Sequence, residues 1–129
     1  MEKQKILIAE DEEVTRHLFQ LAFKDIPQVD LRLAGNGEEA LVAFKSWKPD
    51  ILLMDIRMPV LNGFKTLEII RQTLDDQKTT VIMVSSVSDR DDIVACARLG
   101  IQGYILKPFD TRKLPVMVLD YHRKGKAGA

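Results

Sequence analysis

The chain holds one cysteine, one tryptophan and two tyrosines among 129 residues, and its 19 acidic and 19 basic side chains cancel to a formal net charge of +0. The lone Cys96 excludes an internal disulfide framework. Without an excess of positive charge there is no electrostatic footprint for nucleic acid or an anionic membrane, so neither is expected as a direct partner. No apolar run approaches the roughly 20 residues that would cross a bilayer, and the opening Met1 to Lys5 lacks the apolar core of a secretory signal. A cytoplasmic location follows as the simplest expectation. The chain has room for one domain, large enough to bury roughly two-thirds of its unfolded surface.

Hydrophobic residues make up 46% of the sequence and charged residues 29%, the balance of a globular protein. Short apolar runs alternate with helical patterns from end to end, the rhythm of a βα series that closes a parallel sheet. Strands are expected near Lys5 to Ala9, Asp30 to Ala34, Ile51 to Asp55, Thr80 to Ser85 and Gly103 to Leu106. The first, third and fourth are nearly continuous apolar runs, as in strands covered on both faces. The second alternates, Asp30-Leu31-Arg32-Leu33, and belongs at an edge.

Between the strands, Val14, Leu18 and Leu21 recur at helical spacing, as do Ala40, Leu41 and Phe44, then Phe64, Leu67 and Ile70, then Ile93, Cys96 and Ala97. Asp89 and Gly100 are the expected start and stop of the fourth helix, and a fifth should run from about Thr111 to Tyr121. Gly35-Asn36-Gly37 and Leu61-Asn62-Gly63 offer turns where positive φ is cheap. Pro115 falls at the border of the last helix's first turn. Proline is tolerated there and costs ~3 kcal/mol in a helix interior, so a shifted or distorted helix start is expected.

Three strands run into polar groups at their C-terminal ends: Ile6-Leu7-Ile8-Ala9 meets Glu10-Asp11, Ile51-Leu52-Leu53-Met54 meets Asp55, and Tyr104-Ile105-Leu106 meets Lys107-Pro108. In a doubly wound sheet, ligands bind outside the carboxyl ends of the strands, where the strand order reverses. Carboxylates gathered there repel one another unless a cation intervenes, and Mg2+ suits oxygen ligands of this kind. Asp55 can act as a nucleophile toward a phosphoryl group, with Lys107 and the Ser85 hydroxyl near the transferring oxygens. Each residue has a plainer reading: Asp11 as a helix cap, Asp55 as a loop acid, Lys107 as a solvated lysine, Ser85 as a turn residue beside Ser86 and Ser88. Their joint placement at matching strand ends favours the site.

These stretches, with Asp50 to Pro59, Val81 to Ser86 and Gly103 to Phe109, resemble the receiver domain of bacterial two-component response regulators. The resemblance covers nearly the whole chain and implies a flavodoxin-like α/β fold: a doubly wound five-stranded parallel sheet, order 2-1-3-4-5, with five helices. Residues 1–122 would form the receiver and 123–129 a short tail or linker stump. The resemblance further implies that Asp55 accepts a phosphoryl group from a sensor histidine kinase or phosphotransfer protein. Mg2+ would be held by Asp11, by Glu10 through water, by Asp55 and by the backbone carbonyl of Arg57. Ser85 and Lys107 would contact the phosphoryl oxygens, and Tyr104 would turn inward as Ser85 moves. The Lys107-Pro108 bond would be cis.

The implied output is altered affinity for a downstream protein or a missing output domain, or homodimerisation, through the fourth helix, fifth strand and fifth helix. Such a domain catalyses only its own phosphorylation and dephosphorylation. Ser85 stands where threonine is more frequent in the family and Ser86 where alanine is usual, while Arg57 and Val87 occupy positions that tune phosphoryl lifetime. Two other readings are a small aspartyl-nucleophile phosphotransferase or phosphatase, and a pseudo-receiver that only binds. The enzymes commonly carry an acid two residues after the nucleophile, where this chain has Arg57. The intact set of Glu10, Asp11, Asp55, Ser85 and Lys107 argues against the pseudo-receiver.

Overall fold

Five parallel strands form one sheet in the order β2-β1-β3-β4-β5. The computed structural model describes residues 3–127. Its strands are β1 (Gln4–Ala9), β2 (Val29–Ala34), β3 (Ile51–Met54), β4 (Thr80–Ser85) and β5 (Gly103–Leu106). The helices are α1 (Glu13–Phe23), α2 (Gly37–Trp47), α3 (Gly63–Glu68), α4 (Arg90–Leu99) and α5 (Leu114–Ala127), and a π-helical turn, Ile69–Thr73, prolongs α3. The expected fold class, strand order and edge position of β2 are all observed. Met1, Glu2, Gly128 and Ala129, which fall within the expected N-terminal start and C-terminal tail, lie outside the described residues.

The period of two along each strand divides the core into two layers. Leu7, Leu52, Met54, Val81 and Met83 pack on one face against Ala40 and Phe44 of α2, Leu67 of α3 and Cys96 of α4. Ile6, Ile8, Ile51, Leu53, Ile82 and Val84 pack on the other against Phe19 and Phe23 of α1 and Leu114 and Val118 of α5. β3 and β4 are buried at every position, and each large aliphatic side chain so covered contributes roughly 1.5–3 kcal/mol relative to exposure.

On α1 the apolar stripe faces the wrong way for a core. Val14 is 73% exposed and Leu21 58%, while Phe19 and Phe23 carry the buried face. Both sets recur at helical spacing, and the larger aromatics bury more area. Glu12 occupies the N-cap position without a side-chain bond, so Asp11 is not a cap.

The glycine turns also differ from expectation. Neither Gly35, Gly37 nor Gly63 has positive φ; Lys48, Val60, Asp75 and Gly100 do. Asn36 and Asn62 instead cap α2 and α3, accepting from the amides of Glu39 and Lys65 at 2.8 Å each. What Gly37 and Gly63 provide is space. A Cβ at Gly37 would collide with Thr66 Oγ1 and the Leu61 carbonyl, and one at Gly63 with the Asp55 carbonyl.

Helix α4 starts after Asp89, whose carboxylate accepts from the Asp91 amide, and ends at Gly100 with φ 104°. Helix α5 begins at Leu114, later than the expected Thr111, after a turn in which the Asp110 carbonyl accepts from Lys113 and Leu114 at 3.1 and 3.0 Å. Pro115 therefore sits in the first turn, where it needs no amide hydrogen. The helix runs on to Ala127, past the expected end at Tyr121, so residues 123–127 are helical rather than a tail. Lys126 Nζ donates to the Lys78 carbonyl at 2.6 Å along this extension.

Candidate functional site

The site is a consequence of strand register. Ala9 pairs with Met54, so the next residues, Glu10 and Asp55, emerge side by side, with the Asp55 amide donating to the Ala9 carbonyl at 3.1 Å. Ser85 pairs with Leu106, so Lys107 follows at the same end of the sheet, its amide bonded to the Ser85 carbonyl at 3.0 Å. β1 lies between β2 and β3, which places the acids where the chain's order reverses.

Glu10 is 1% exposed and Asp55 7%. The Lys107 ammonium bridges them, 2.5 Å from Glu10 Oε1 and 2.6 Å from Asp55 Oδ2. Glu10 Oε2 accepts from the Glu12 amide at 3.0 Å, and Asp55 Oδ1 from the Arg57 amide at 3.3 Å. Glu10, Asp11 and Asp55 each offer a carboxylate oxygen, all within 4.8 Å of one another. Asp11 is exposed and supplies the open side.

Burial pushes the Glu10 carboxyl up, against the Lys107 ammonium and the Glu12 amide, which pull it down. Burial would lower Lys107, but its bonds to Asp55 and Glu10 outweigh it and hold the ammonium above its usual range. The two shifts pull oppositely across one 2.5 Å contact. Lys107 has a second carboxylate partner, Asp55 Oδ2 at 2.6 Å, so the Lys107 direction governs: one ammonium is the counter-charge of both buried acids. Three carboxylates facing one cation leave a negative excess made wholly of hard oxygen donors. A divalent ion such as Mg2+ fits this donor set.

Ser85 and Tyr104 are joined through a third residue. Ser85 Oγ accepts from the Val87 amide at 3.2 Å, and Tyr104 Oη donates to the Val87 carbonyl at 2.5 Å. Ser85 is wholly buried at the end of β4, and Tyr104 is turned inward over the β4–α4 loop. The Lys107–Pro108 bond is cis.

Two other side chains with chemistry of their own stay apart from the acids. His17 is exposed on α1, its Nδ1 3.1 Å from Gln20 Oε1. Trp47 covers one core layer, with Lys5 and Arg32 over its ring at 5.7 and 4.5 Å to the centroid. A surface groove of about 670 Å³, lined by Arg32, Asn36, Glu39, Val42 and Val60 among others, contains none of the clustered acids.

Three contacts escaped the sequence reading. Arg16 Nη1 donates to the carbonyls of Glu10 and Asp11 at 2.8 and 2.9 Å. Val87 contributes through its backbone, which no side-chain pattern marks. Arg71, 3% exposed, donates to the carbonyls of Gly100, Asp76 and Thr79 at 2.9 to 3.0 Å and to Gln102 Oε1 at 3.3 Å. Its only sequence signal is a cation directly following the apolar Ile69 and Ile70.

Residues 6–119 match the family model for the response regulator receiver domain. Regulatory protein AtoC of Escherichia coli is 35% identical over 88% of this chain and 24% of its own length. The Regulator of RpoS of Escherichia coli is 38% identical over 89% of this chain and 34% of its own. The chain thus spans 24% and 34% of the lengths of these two relatives. The receiver domain of the Francisella response regulator 1452 superposes with a TM-score of 0.83 at 25% identity, covering 95% of this chain and 98% of that one. With the buried acids at the reversal of strand order and this match along the sheet and helices, the chain belongs to the response regulator receiver family.

Proposed function

We propose that this receiver is a phosphorylatable switch in which Asp55 is the acceptor. The observation that carries the reading is the Asp55 carboxylate, 7% exposed at the end of β3, held by Lys107 and clustered with Glu10 and Asp11. An Asp55 carboxylate oxygen attacks phosphorus and forms an acyl phosphate, while the bond from phosphorus to the donor's nitrogen breaks and its electron pair returns to the donor. Lys107 is released toward the incoming oxygens, where its charge offsets theirs. Asp11, Asp55, the Arg57 carbonyl and, through water, Glu10 would hold Mg2+, which supplies charge neutralisation at the transferring group.

The donor is a histidine kinase or phosphotransfer protein. Val14, Leu18 and Leu21 form an exposed apolar stripe that begins three residues after Asp11, a landing surface beside the acceptor for a partner that must reach it. The receiver, with α5 carried on to Ala127, acts as the switch in the cytoplasm. Ser85 moving toward the phosphoryl group draws on the Val87 amide, and Tyr104 holds the carbonyl of the same residue. This link biases α4, β5 and α5 between two arrangements and thereby changes affinity for a downstream target, an output domain or a second copy. Moving such a pair of states from 1:99 to 99:1 takes about 5.5 kcal/mol of differential stabilisation.

The test is intact-mass analysis after acetyl phosphate and Mg2+. A hydroxylamine-labile adduct of one phosphoryl group is expected in the native protein and none in Asp55→Asn. An adduct of equal yield in the variant would refute the assignment.

A further inference from the structure

Arg16 lies on α1, yet its guanidinium turns back onto the loop that precedes the helix. Nη1 donates to two successive carbonyls, Glu10 at 2.8 Å and Asp11 at 2.9 Å. These are the two residues of the acidic pair. Arg16 makes no ion pair among the described residues, so its charge falls on the backbone and leaves the Asp11 carboxylate open to a cation.

The two acids are held differently. Glu10 is fixed by its own side chain, through the Glu12 amide and Lys107, and by its amide bond to the Ala34 carbonyl at 2.9 Å. The Asp11 carboxylate has no hydrogen-bond partner among the described residues and is exposed. Its place within 4.8 Å of Glu10 and Asp55 therefore depends on the direction of the peptide that carries it. Arg16 grips the carbonyls on both sides of the Asp11 amide, and the Glu12 amide on Glu10 Oε2 at 3.0 Å holds the second of these peptides as well.

We propose that Arg16 is a positioning residue for the cation site: by clamping the Glu10 and Asp11 carbonyls it aims the Asp11 carboxylate at the point shared with Glu10 and Asp55. The inference rests on the reading of that cluster as the divalent cation site. Groups that orient metal ligands typically account for ~10–100-fold in affinity, and the loss on removing Arg16 should fall in this range.

The experiment is Mn2+ binding, followed by the electron paramagnetic resonance signal of the free ion, on the full chain and on Arg16→Met, Arg16→Lys, Asp11→Asn and the Arg16→Met/Asp11→Asn double variant. Arg16→Met keeps a long stem on a half-exposed helix position, and a thermal melt confirms that it folds. We expect ~10–100-fold weaker binding in Arg16→Met, partial recovery in Arg16→Lys, and no further weakening when Arg16→Met is added to Asp11→Asn. Native affinity in Arg16→Met would overturn the proposal, as would full additivity in the double variant, because the arginine would then act independently of the Asp11 carboxylate. If Asp11→Asn binds Mn2+ like the native protein, the cation-site reading itself fails and the proposal with it.

Discussion

Lys107 Nζ sits 2.6 Å from Asp55 Oδ2 across 52 residues of sequence, and the same nitrogen reaches Glu10 at 2.5 Å. The ammonium is thus the counter-charge of two buried carboxylates. Lys107→Met strands both, and breaking a buried pair in this way costs ~3–5 kcal/mol. Urea denaturation in metal-free buffer should show a loss near the lower end of that range. Millimolar Mg2+ should then raise the melting temperature of Lys107→Met more than that of the native protein, since ion and ammonium serve as alternative counter-charges. Equal shifts in the two proteins would contradict this.

Arg71 ties the π-helical turn after α3 to the end of α4 at Gly100, the start of β5 at Gln102 and the approach to β4 at Thr79. Arg71→Met keeps much of the stem but leaves several buried carbonyls without their charged donor. A stability loss of ~2–4 kcal/mol is expected from chemical denaturation. The loss should change little between low and high salt, because a buried network is poorly screened. A salt-dependent loss below ~1 kcal/mol, the mark of a surface ion pair, would count against the hub.

His122 accepts or donates a 2.7 Å bond with Thr80 Oγ1 on the inner side of α5. Burial and the nearby Lys126 hold its pKa below the ordinary 6.5, against Asp50, which raises it. The unfolded chain therefore takes up the proton first, so the contribution to stability is complete above pH 6.5 and is lost as the pH falls through the folded value. Melting curves between pH 5 and 7.5 should show this decline in the native protein and a flatter profile in His122→Gln. Identical profiles would remove His122 as the cause.

Val60 has φ 69° and is 74% exposed. A β-branched residue in the left-handed region costs roughly 1–2 kcal/mol, while glycine loses roughly 0.5–1 kcal/mol of backbone entropy when fixed. With little burial to forfeit, Val60→Gly should be more stable by up to ~1 kcal/mol in equilibrium unfolding. A destabilised variant would show that the loop after β3 has another conformation in solution.

The strands and the acidic site were legible because continuous apolar runs end abruptly in polar residues, and register does the rest. Glu10, Asp55 and Lys107 needed only parallel strands to converge. The face of α1 was not legible, since Val14, Leu18, Leu21 and Phe19, Phe23 both fit a helical repeat, and only packing against Ile6 and Ile8 distinguishes them. Arg16 and Arg71 were hidden for another reason. Each bonds to backbone carbonyls, which every residue possesses, so no side-chain pattern announces the partner. The length of α5 was missed because its last turns are polar and are fastened from outside, by Lys126 on the Lys78 carbonyl.

Trp47 ends α2 beside Lys5, at the opposite pole of the sheet from the strand ends that carry the acids. As the chain's one indole, it is the dominant intrinsic fluorophore. Its emission will follow loss of the whole fold, and a magnesium or phosphoryl event at the far rim will leave it nearly dark. An optical reporter of occupancy must therefore be engineered into the loop after β3, beside Asp55.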